Sequence, residues 1–147
     1  MPNISPPGYL VSVVSGNNAP IYASLVTNNG IISTVGSNTQ SFFTINPYPG
    51  MMMGGNYTQT SEGLLRLKVL APGFCDQLQI AGTATLAGGL DIVLATGYQP
   101  AGQNPLTWTP ILYNGQNNGQ FTSGNRPPNF GMPNYFGGGM TITWTPP

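Results

Sequence analysis

Gly63-Leu64-Leu65-Arg66-Leu67-Lys68-Val69-Leu70 and Gly89-Leu90-Asp91-Ile92-Val93-Leu94 are the two stretches on which the fold class turns. In the first, Leu65, Leu67 and Val69 alternate with Arg66 and Lys68; in the second, Leu90, Ile92 and Leu94 alternate with Asp91 and Val93. Successive side chains of a strand point to opposite faces, so a period of two gives each stretch an inner and an outer surface. Arg66 and Lys68 are expected together on one face. Between the two stretches, Asp76-Gln77, Ala81-Gly82 and Ala87-Gly88-Gly89 have the chemistry of turns, where glycine adopts positive φ without a Cβ clash.

The same texture extends in both directions. With 21 Gly and 15 Pro in 147 residues, almost no window long enough for a helix escapes a breaker. Short strands are expected at 9–14, 21–27, 30–35, 40–45, 56–60, 63–70, 77–80, 82–87, 89–95, 106–113, 119–122 and 140–144. Ser15-Gly16-Asn17-Asn18, Asn28-Asn29-Gly30 and Gly36-Ser37-Asn38 place turn residues about every ten positions, which points to a solenoid or sandwich without fixing its period. The fold class is therefore all-β, a short-stranded β-solenoid-like or jelly-roll-like β-sandwich module. Residues 124–139 read as a long loop with Phe130, Tyr135 and Phe136 interleaved, either a subunit contact or a surface loop pinned by its aromatics.

Only six residues are charged: Arg66, Lys68 and Arg126 against Glu62, Asp76 and Asp91. An ordinary soluble domain carries about 25% charged residues against 4% here, so copies of this chain repel one another weakly. Three scattered cations provide no footprint for a phosphate backbone, which argues against nucleic-acid binding. The apolar runs are too short to span a bilayer as a helix, and the N-terminus lacks the basic start and apolar region of a signal peptide.

A family resemblance enters through an ordered series of motifs. Asn28-Asn29-Gly30-Ile31-Ile32, Gly55-Asn56-Tyr57-Thr58-Gln59-Thr60 and Gly63-Leu64-Leu65-Arg66-Leu67 resemble the C-terminal β-solenoid passenger region of bacterial autotransporters and related surface β-repeat proteins. The likeness continues through Asp76-Gln77-Leu78, the run from Gly82 to Leu90, Gly97-Tyr98-Gln99-Pro100, Gly119-Gln120-Phe121 and the closing Met140-Thr141-Ile142-Thr143-Trp144. The resemblance implies a right-handed solenoid-like or sandwich-like module that ends a passenger, with adhesive or scaffolding roles and no catalytic residues. Residues 1–26 have no counterpart in it and are expected to form an N-terminal extension or donor-strand segment, leaving 27–147 as the β module.

The residues present suit little chemistry. One Glu, two Asp and no His cannot easily supply an acid–base pair, and Asp76 sits in a turn where Asx side chains bond backbone N–H groups. One Cys without His fits no zinc site, and neither a calcium nonapeptide nor a phosphate loop occurs. No enzyme activity, cofactor or metal is expected. Cys75 reads as a buried small hydrophobe, an intermolecular disulfide partner or a reactive thiol.

The expectation is a structural subunit of an extracellular, self-assembling fibre or surface appendage; an adhesin module or a virion structural protein is the alternative. Its partners would be copies of itself and glycans on a cell surface. An uncharged strand edge invites pairing. The candidate subunit contacts are Tyr9, Leu10, Val11 and Val13 in the donor segment, Met51, Met52 and Met53 in a Pro/Gly-bounded loop, and Phe130, Tyr135 and Phe136.

Overall fold

A computed structural model of the chain describes residues 3–4, 10–12, 18–34 and 39–147, with side chains from Pro20 onward. The architecture is all-β. Among the described residues there is no helix, and so none long and apolar enough to cross a membrane.

The chain visits three sheets in rotation. β1 (Asn3–Ile4) lies in the first sheet, β2 (Leu10–Ser12) in the second and β3 (Asn18–Tyr22) in the third. The order repeats with β4 (Leu25–Asn28), β5 (Ile31–Ser33) and β6 (Phe42–Asn46). It repeats again with β7 (Asn56–Gln59), β8 (Leu64–Ala71), which the short β9 (Phe74–Cys75) folds back upon, and β10 (Gln77–Ile80). A further round adds β11 (Ala84–Leu86), β12 (Gly89–Leu94) and β13 (Leu106–Tyr113), followed by β14 (Asn117–Gly119) in the first sheet. β15 (Asn134–Phe136) and β16 (Gly139–Trp144) close the third sheet.

Strands of successive rounds pair in parallel, and among the described strands β8–β9, β13–β16 and β15–β16 are the antiparallel pairs. The chain thus winds through its three sheets with mainly parallel pairing, whereas a jelly roll is assembled from antiparallel strands. One round is long and uneven: Phe42 pairs back to Asn18, 24 positions earlier, and on to Gln77, 35 positions later. The ten-residue spacing of turn residues thus marks single sides of the winding, and loops of different length at the corners blur the full period.

Inward side chains stack from round to round. Ile32, Leu65 and Leu90 form one column on the second sheet, and Phe43, Leu78 and Ile111 another on the third, with Ile45, Ile80 and Tyr113 beside it. All are buried. Burying an aliphatic or aromatic side chain of this size contributes about 1.5–3 kcal/mol, so these columns hold the rounds together.

Several expectations change on contact with the structure. The stretch 21–27 is two strands, because Ala23 and Ser24 turn the corner between β3 and β4. The proposed boundary between residues 26 and 27 falls inside β4, whose Val26 and Thr27 pair with Tyr57 and Thr58. The 124–139 stretch is not a free loop: it contains β15, and Phe130 bridges Trp144 as the segment runs antiparallel along β16. A paired strand was illegible there because its hydrogen bonds depend on a partner strand rather than on its own Pro/Gly-rich residues.

Candidate functional site

The two borders of the winding differ. At one, β1, β2 and β3 are the end strands of all three sheets. At the other, the first sheet ends in β14 and the third in the short antiparallel β15, and residues 123–125 lie along β12, with Leu90 N donating to Ser123 O (3.1 Å) and Ile92 N to Asn125 O (2.9 Å). Asp91 fixes that covering segment by accepting from Asn125 N at 2.8 Å while pairing with Arg66 at 3.4 Å. The first border carries no such lid among the described residues, and no charged residue occurs in the first 61 positions. Charged side chains are a usual device against edge-to-edge pairing.

The candidate contact residues separate into three groups. Tyr9 and Val13 lie outside the described residues. Leu10 and Val11 belong to β2, which pairs with Ile31–Ser33 of its own chain. Met51, Met52 and Met53 all project from the corner between β6 and β7, Met52 being 100% exposed. In the C-terminal group, Phe130 is buried and stacks on Trp108 with ring centroids 5.5 Å apart, which makes it part of the core of its own chain. Tyr135 is half-buried with its hydroxyl accepting from Phe121 N at 2.9 Å, while Phe136 remains exposed.

Behind the second sheet sits a buried ion pair that the alternation of β8 conceals. Lys68 points away from the Leu65–Leu67–Val69 face, as the pattern requires, yet it is only 2% exposed. Its Nζ donates to Asp76 Oδ1 and Oδ2 at 3.0 and 2.9 Å and to Thr34 O at 2.9 Å. Asp76, fully buried, also accepts from Ser41 N (2.7 Å), Lys68 N (3.2 Å) and the Thr34 hydroxyl. Every acceptor position of the carboxylate is thus committed to tying residues 34 and 41 to β8. A second buried polar cluster occupies the corner between the first and second sheets. There Asn28 Nδ2 donates to Tyr57 Oη (3.1 Å) and Gln59 Oε1 (3.2 Å), and Gln59 Nε2 reaches Ala87 O and Gly89 O at 2.9 and 2.8 Å. Gln59 therefore bonds one round to the next through side-chain amide and backbone carbonyl.

Cys75 is buried in the core. Burial, reinforced by the neighbouring Asp76 carboxylate, pushes its thiol from 9.0 up to about 12. That shift favours the neutral thiol in the folded state, so its stabilisation is complete below pH 9 and is lost as pH rises toward about 12. Tyr57, also raised by burial, begins to contribute only above its ordinary value of 10.0. We therefore expect urea midpoints of the wild type to fall between pH 9 and 10 and those of Cys75→Ala to stay level over the same interval. Equal slopes would mean that the thiol is not held neutral by the fold.

No group of three or more His, Cys, Asp or Glu side chains able to hold a metal ion occurs among the described residues. Compared with known proteins, the chain matches no family model, no curated protein and no solved structure. The likeness to passenger ends accordingly rests on the quoted motifs alone.

Proposed function

We propose that the chain is a non-catalytic structural module of an extracellular or cell-surface assembly, joined to a second copy through the border formed by β1, β2 and β3. The observation that carries this reading is the asymmetry of the two borders. One ends all three sheets in parallel strands with no charged residue within the first 61 positions, while at the other residues 123–125 lie over β12 and the third sheet ends in the short antiparallel β15. Strand edges present rows of backbone donors and acceptors, and pairing with another edge is a low-cost way to satisfy them. The exposed methionines of the β6–β7 corner add adaptable apolar surface. The resemblance to the ends of passengers agrees with a module that presents one joining face.

A fibre would need a second joining face, for which the geometry leaves the edges of two three-residue strands, β14 in the first sheet and β15 in the third. Paired copies are thus the favoured form, with fibres and closed particles as the rival assemblies. Sedimentation velocity over a range of concentrations, at low and high salt, tests the reading. Association should appear with rising concentration and should not weaken in salt, because no charged pair holds the border. A folded monomer at every concentration would refute it, and negative-stain images separate pairs from fibres and shells.

A further inference from the structure

Beside the last round of the winding, between the β13–β14 connection and β15, lies a shallow cavity of about 410 Å³. That volume falls within the range of about 300–1,000 Å³ usual for small-ligand sites. None of the six charged residues lines it.

Three features of its wall are unspent by the fold. Phe136 forms one side: its ring lies over Gly138 and Gly139, close enough that a Cβ on Gly139 would stand 3.0 Å from its Cζ. Glycine at that point lets the ring lie against the backbone, and the ring is still 47% exposed. Asn117 forms another side. Its Oδ1 is buried yet receives no hydrogen bond, a rare condition that costs about 1–3 kcal/mol when nothing answers it. The third is the Gln116 side chain, exposed at the rim and without a hydrogen bond to the described residues. By contrast, the amides of Gln77 and Gln79 on the third sheet are bonded to Thr109 O and to each other at 2.9 Å.

We propose that this cavity is a binding site for a neutral saccharide. The wall asks for a ligand with a flat apolar face for Phe136, a hydroxyl for Gln116 and an O–H donor for Asn117 Oδ1, which a turn of the side chain from its buried position brings into the cavity, all within one small body. A pyranose ring offers its C–H face and its hydroxyls in that arrangement. An acidic sugar would bring a carboxylate into a site that holds no cation. The site belongs to a different face from the β1–β3 border, so saccharide binding and self-association stand or fall separately.

The test is a nuclear magnetic resonance titration of the whole chain with cellohexaose, laminarihexaose and maltohexaose, with a galacturonic acid oligomer as the charged comparison. At least one neutral oligomer should shift the Asn117 and Gln116 side-chain amide signals and the Phe136 ring signals, and the acidic oligomer should not. Gly137 lines the cavity and has no atom within 4 Å of the position a Cβ would take, so Gly137→Trp obstructs the site without crowding the fold. It should weaken binding at least tenfold, about 1.4 kcal/mol, with an unchanged Tm; Asn117→Ala should do the same. Silence with all three neutral oligomers, equal binding of the acidic one, or full affinity in a folded Gly137→Trp protein would overturn the proposal.

Discussion

Replacing Lys68 with methionine lowers the stability of the fold by about 3–5 kcal/mol, the range found when one member of a buried ion pair is removed. The substitution conserves much of the side-chain volume but leaves the Asp76 carboxylate in the interior without its cation. Asp76→Leu is expected to be worse. It strands the Lys68 ammonium with Thr34 O as its remaining protein acceptor and also orphans Ser41 N and Lys68 N, which bond the carboxylate at 2.7 and 3.2 Å. The double variant should not recover wild-type stability, because those two backbone donors stay unanswered. Urea unfolding midpoints give the ranking, and a Lys68→Met protein as stable as the wild type would contradict the arrangement. Against a total stability of about 5–15 kcal/mol for a domain of ordinary size, a loss of this magnitude is a large fraction of the whole.

The second large effect is expected at Gly88, where the chain turns from β11 into β12. Its φ is +66°, and a Cβ there would lie 2.3 Å from Gly63 O and 2.5 Å from Thr60 O. Both atoms belong to the backbone of the preceding round, which cannot rotate away as a side chain could. Gly88→Ala therefore combines a left-handed conformation, about 1–2 kcal/mol for an L-residue, with overpacking, about 1–3 kcal/mol. The loss should appear as a lower Tm. Protection from hydrogen exchange should fall most in β8 and β12, since Gly89 N donates to Gly63 O at 2.9 Å across the same junction. A Gly88→Ala protein that melts with the wild type would show that the rounds are free to separate at that corner.

Much of the fold was legible because it depends on local chemistry. The alternation of Leu65, Leu67 and Val69 set the inward face of β8, and Gly/Pro density excluded helices. Asp76 was expected in a turn with local N–H partners; it lies instead between β9 and β10 and bonds the distant Ser41 N and Lys68 N, whereas exposure of at least one methionine between Pro49-Gly50 and Gly54-Gly55 was legible. The period was not legible, because it is the sum of three sides and their corner loops, and those loops vary without changing the strands. The burial of Lys68 was not legible for a related reason. A period of two assigns a residue to a face, but whether that face is wet depends on what another part of the chain lays over it, here residues 34, 41 and 76.

The saccharide-site candidates show the same division. Phe136 stood out as an aromatic in a Gly/Pro stretch, whereas Asn117 gave no signal in a chain rich in asparagine. Its distinction is an unanswered buried oxygen, which exists only once β14 and β15 approach. Phe130 was read either as a subunit contact or as an aromatic that pins its loop, and its stacking on Trp108, a contact between distant residues, is what buries it.

Strand content, the inward faces and the scarcity of charge follow from the sequence by itself, since each depends on residue type and on neighbours two or three positions away. The order of the strands, the lid over one border, the burial of Lys68 with Asp76 and the vacant acceptor at Asn117 were decided by the tertiary structure. All of them arise from contacts between residues brought together by the winding, whose free energies belong to pairs and to shared burial and are not properties of any single stretch of chain.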